Sequence, residues 1–89
     1  SPVAKYRKKP IIIEALQVTA EMLKDPEGNF KHLDVPKDTI IWHDSWSYVA
    51  VRNATGLNHA GVGDWIITGL DGEIYVCPGD KFERTYEPA

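Results

Sequence analysis

Two β-branched runs separated by a four-residue turn constrain this chain more than any other feature. They are Asp64-Trp65-Ile66-Ile67-Thr68 and Glu73-Ile74-Tyr75-Val76-Cys77, with Gly69-Leu70-Asp71-Gly72 between them. Isoleucine, valine and aromatic side chains suit a pleated, half-buried surface, and Asp71-Gly72 offers positions that tolerate a positive φ. The segment is therefore read as an antiparallel hairpin, with Trp65 in the core. The chain has 89 residues and one cysteine, Cys77. One domain over residues 1–89 is expected, loose at 1–4 and without an intrachain disulfide.

The rest of the chain supplies shorter strands and a broken helix. Ile11-Ile12-Ile13-Glu14-Ala15-Leu16-Gln17-Val18 reads as a strand with apolar side chains on both faces. Thr19 is placed to cap a helix through Ala20-Glu21-Met22-Leu23-Lys24, and Asp25-Pro26 to interrupt it and start a second turn that carries Phe30 and Leu33 toward the core. Thr39-Ile40-Ile41-Trp42 and Tyr48-Val49-Ala50-Val51 read as strands joined by His43-Asp44-Ser45-Trp46. Residues 53–63, with three glycines and few large apolar side chains, read as a mobile hairpin or loop. Pro78-Gly79 fits a type II turn, Asp80 a cap on one helical turn, and Arg84-Thr85-Tyr86-Glu87 an edge strand. The expected class is α+β and β-rich. It is a small antiparallel sheet, open or partly closed into a barrel, with one short or broken helix near residues 20–33.

Charge is unevenly spread. Lys5, Arg7, Lys8 and Lys9 place four of the ten cations in five positions, leaving six cations against thirteen anions from residue 10 onward. An acidic body repels phosphate at long range, so nucleic acid is disfavoured as a partner. The basic arm is read first as a solvated lead-in that discourages edge pairing. No apolar run approaches the roughly 20 residues of a membrane helix, and the basic start leads into only three isoleucines, so neither a membrane span nor a signal peptide is expected.

Chemistry is sparse. His32, His43, His59 and Cys77 are scattered, with no C-x-x-C or H-E-x-x-H spacing, so no metal or other cofactor is expected. Alternation puts Cys77 on the face of Glu73 and Tyr75, opposite Ile74 and Val76, and it reads as a half-buried structural thiol rather than a nucleophile. The aromatic concentration around Trp42, Trp46 and Tyr48 is more telling, because two tryptophans near a hairpin tip can stack a base or anchor a partner. Trp42 is assigned to the core, while Trp46 divides evenly between core and contact.

The opening Lys5-Tyr6-Arg7-Lys8-Lys9-Pro10, the following Ile11-Ile12-Ile13-Glu14-Ala15, and the end block from Gly63 through Cys77 and Asp80 to Glu87 occur together in order. These two blocks resemble small proteins encoded by tailed bacteriophages and prophages. The resemblance covers about 40 residues at the two ends and leaves Trp42, His43, Trp46 and residues 53–61 outside it. It implies a phage or prophage setting in the cytoplasm of a bacterial host, or in the virion, and it brings no activity with it.

The preferred reading is a non-enzymatic module that binds a host protein, a phage protein, a small ligand or a second copy of itself. Its contact residues are taken as His43, Trp46, Arg52 and His59, with Lys5, Arg7 and Lys8 from the arm. A nucleic-acid- or nucleotide-binding barrel is the first alternative. A small enzyme using Cys77 or a histidine-held metal is the second.

Overall fold

In the computed structural model, which describes residues 2–31 and 33–89, the chain runs β1 (Glu14–Gln17), α1 (Ala20–Lys24), α2 (Pro26–Phe30), β2 (Ile40–Ile41), β3 (Tyr48–Asn53), β4 (Gly56–Gly61), β5 (Trp65–Thr68), β6 (Ile74–Cys77) and α3 (Gly79–Thr85). Ser1 and His32, read above as a loose start and a candidate ligand, lie outside the described residues. The class is α+β and β-rich. The strands form two three-stranded antiparallel sheets, β1-β5-β6 and β2-β3-β4, and no closed barrel.

Local chemistry sets the helical entry. Thr19 Oγ1 accepts the Met22 amide at 3.3 Å, which satisfies one free donor of the first turn of α1. Asp25 then ends α1 and caps α2, its Oδ1 accepting the Gly28 amide at 3.2 Å, while Pro26 occupies the first turn. The break is thus one residue that is both stop and start. It swings Phe30 inward to 2% exposure.

Alternation then sorts the sheet faces. In β2-β3-β4, Ile40, Val49, Val51 and Ala60 face the core. In β1-β5-β6, Leu16, Ile66, Ile74 and Val76 face the same core, and Val18 and Phe30 complete it. The Asn53 amide ties the two sheets by donating to the Ile74 carbonyl at 3.1 Å. Its Oδ1 accepts the Thr55 amide and the Asn58 side chain, which holds the Ala54-Thr55 turn.

Of the two readings of residues 53–63, hairpin or loop, the structure has the hairpin: residues 56–61 are strand β4, paired with β3 over its whole length from Tyr48↔Gly61 to Asn53↔Gly56. The pairing comes from β3, whose inward Val49 and Val51 are fully buried and leave room opposite for a small residue, Ala60. At the amino end the reverse holds: Ile11, Ile12 and Ile13 are not strand, and pairing with β5 begins only at Glu14. The segment before it is extended and mostly exposed, with Tyr6 at 94% and Ile12 at 76%.

The end of the chain departs most from expectation. Pro78-Gly79 makes no type II turn, since Gly79 is the first residue of α3, and 84–87 is no edge strand, since the helix runs on to Thr85. Pro78, not Asp80, takes the capping position. This longer helix lies over the outer face of β1-β5-β6. There Phe82 stacks on Trp65 with ring centroids 3.9 Å apart, and the Tyr86 hydroxyl meets that of Tyr75 at 3.0 Å. Trp65 is therefore half-buried in an outer aromatic layer, not in the central core, and its indole N–H is sealed off with no acceptor among the described residues. The same cover explains Cys77. Its alternation does put it beside Tyr75, but α3 reduces its exposure to 6%, so the thiol is buried, not half-buried.

Tyr75 carries an alkaline signature. Burial first, then the hydrogen bond to Tyr86 and repulsion from Tyr86, Glu73 and Cys77, push its phenol from 10.0 up to about 12. Above pH 10 the unfolded chain gives up this proton while the folded chain keeps it. The stability it contributes is complete below pH 10 and is lost as pH rises toward 12. Tyr75→Phe is expected to flatten the stability-versus-pH curve in that window, as read by denaturant midpoints at each pH. A variant curve parallel to wild type contradicts the assignment.

Candidate interaction surface

The outer face of β2-β3-β4 follows from the same alternation. Antiparallel register sets Ala50 opposite His59, Arg52 opposite Leu57 and Ile41 opposite Ala50, so these side chains share the face turned away from the core, with Tyr48 at its end. Leu57 is 55% exposed, and Arg52 and His59 are also exposed.

The connection from β2 to β3 delivers two further rings. Trp46 N donates to the His43 carbonyl at 2.9 Å, closing the turn anticipated between the strands. His43 Nδ1 accepts the Ser45 amide at 3.3 Å and lies 2.8 Å from the Ser45 hydroxyl, so the neutral ring carries its proton on Nε2. Trp46 folds back onto Tyr48 with centroids 5.0 Å apart and planes 14° apart, and Tyr48 stacks on His59 at 4.2 Å and 22°. His43 leans on Trp46 at 5.9 Å. The result is one continuous row, His43–Trp46–Tyr48–His59.

Three of the seven contact residues read from the sequence, His43, Trp46 and His59, thus meet in one place. Arg52 shares the face but not the row, and lies near the other end of β3, lining a cleft of about 540 Å3 with Thr39, Asn53 and Tyr75. Lys5, Arg7 and Lys8 stand on the extended arm, exposed. Tyr48 belongs to the aromatic concentration noted in the sequence but not to the contact set drawn from it. Its place in the row depends on cross-strand register with β4, which no local pattern reveals. Trp42 packs against the core from its rim, half-buried.

The row decides what the surface can do. Rings stacked at 4.2–5.0 Å spend their faces on one another, so a base cannot slide between them without parting the stack. What remain outward are the ring edges and the outer side of His59 at the end of the row, with Arg52 and Leu57 beyond it. Aromatic and arginine side chains on a fixed scaffold are the residues that dominate protein contacts.

A second feature lies on the opposite outer surface. Ile11–Ile13 and α3 bound a groove of about 650 Å3, floored by Trp65, Phe82 and Tyr86 and edged by Glu83 and Glu87. Elsewhere, among the described residues, no three His, Cys, Asp or Glu side chains gather as a metal site would need, and no helix is long and apolar enough to cross a membrane. No family model, curated protein or solved structure significantly matches this chain.

Proposed function

We propose that this chain is a non-enzymatic binding module of a tailed phage or prophage, working in the cytoplasm of the bacterial host, and that it grips a host or phage protein with the outer face of β2-β3-β4. The observation that carries this reading is the continuous His43–Trp46–Tyr48–His59 row on a solvent-facing sheet whose other face is anchored in the core. A pre-stacked row loses little side-chain freedom on binding, which favours a protein contact over an adaptable one. The resemblance of the two end blocks to small phage proteins supports the setting. The burial of Cys77 beneath α3 weighs against the reading as a thiol enzyme, because a nucleophile must reach its substrate.

Trp46→Ala and His59→Ala are expected to weaken partner capture about tenfold or more each, the effect of truncating an aromatic contact residue. The measurement is retention of partner from host lysate and from co-expressed phage proteins on immobilised chain. Lys24→Ala, on α1, serves as the neutral control. Capture that Trp46→Ala leaves intact removes the row from the interface. Oligonucleotide binding that falls steeply with salt transfers the assignment to nucleic acid.

A further inference from the structure

The chain exposes more surface than its size requires. A compact 10.0 kDa monomer has about 5,200 Å2 of accessible surface, whereas this one has 7073 Å2. Its radius of gyration is 15.0 Å against about 12 Å for a compact domain of this length. The excess, about 1,800 Å2, is more than twice the roughly 800 Å2 that each partner gives to an interface of standard size. Most of the exposed apolar side chains at the amino end belong to one segment, with Tyr6 94%, Ile12 76% and Ile11 46% exposed.

The same segment has a chemical complement on the body. Lys5, Arg7, Lys8 and Lys9 surround Tyr6, and none of the four is in an ion pair among the described residues. The groove beside α3 has an aromatic floor, Trp65, Phe82 and Tyr86, and an acidic edge, Glu83 and Glu87, which also form no ion pair among the described residues. β1 is the edge strand of its sheet, so the arm leaves the body at the mouth of this groove. From Tyr6 to Ile11 the extended chain reaches about 18 Å, nearly twice the roughly 10 Å length of the seven-residue α3. An arm arriving from a neighbouring molecule therefore clears its own body and still covers the groove.

We propose that two copies of this chain pair by exchanging arms, each laying Lys5-Tyr6-Arg7-Lys8 along the other's α3 groove, with Tyr6 on the Trp65–Phe82–Tyr86 floor and the cations against Glu83 and Glu87. The contact is isologous, so each pair holds two arms in two grooves. It uses the surface opposite the aromatic row and stands or falls separately from the partner assigned to that row.

Sedimentation of the full chain over a hundredfold concentration range tests it. The expected result is a mass that doubles with concentration, in an equilibrium that added salt weakens because the arm and the groove edge attract through exposed charges. Glu83→Lys with Glu87→Lys is expected to raise the dissociation constant about tenfold or more, and Lys5→Glu with Lys8→Glu to do the same. All four substitutions together are expected to restore pairing, since the charges are then exchanged. Each position is exposed, so circular dichroism should show every variant folded as wild type. A monomer at every concentration overturns the proposal. So does a dimer indifferent to both reversals, or one that the combined variant fails to rescue.

Discussion

Phe30→Ala is expected to cost about 4 kcal/mol and lower the melting temperature by roughly 20 °C. Phe30 is 2% exposed and stands where α2 meets both sheets. Truncation removes a whole ring from between layers that cannot close fully over the space. A domain of 89 residues has only about 5–13 kcal/mol of total stability, so this single change takes a large share of it. Thermal unfolding followed by circular dichroism reads the effect. A loss below about 1 kcal/mol means that α2 does not seat its ring in the core.

Gly79→Ala is expected to destabilise by about 2 kcal/mol, against the usual sense of a glycine-to-alanine change in a helix. Helix propensity alone favours alanine by about 1 kcal/mol. Space opposes it: a Cβ at Gly79 would stand 2.5 Å from the Gly63 carbonyl oxygen, and both groups are backbone. Neither can move aside cheaply, so the start of α3 must lift away from the Gly61–Asp64 turn. The Trp65–Phe82 stack loosens with it, which a change in tryptophan fluorescence should report alongside the lower melting temperature. A variant as stable as wild type shows that α3 tolerates displacement without loss.

The sequence was most legible where a residue acts on its immediate neighbours. Asp71-Gly72 marked the β5–β6 turn, and Gly72 does take a positive φ of 73°. Thr19, Asp25 and Pro26 marked both helix starts, because capping is settled within three residues. Legibility failed where a distant segment decides. Residues 56–61 leave hairpin and loop equally open by local pattern, and they become a strand because β3 offers an unpaired edge. Pro78-Gly79 satisfies a turn as readily as a helix start, and the choice is made by the need for a close approach to Gly63. The length of α3 then hid the burial of Cys77, the outer position of Trp65 and the groove itself. At the aromatic row, His43, Trp46 and His59 could be picked as unusual residues, but their assembly needed Tyr48 and the register of two strands.

The layer order has a further consequence. The α3 groove and the aromatic row sit on opposite outer surfaces, separated by both sheets. In a pair joined at the α3 side, the two rows look outward in opposing directions, a two-headed connector. A target that itself repeats, such as a ring or a tube of identical subunits, can then be held at two points or bridged to a neighbour. Once the first head is seated, the second binds from an effective concentration in the millimolar range, and avidity rises by about a hundredfold or more without one additional contact.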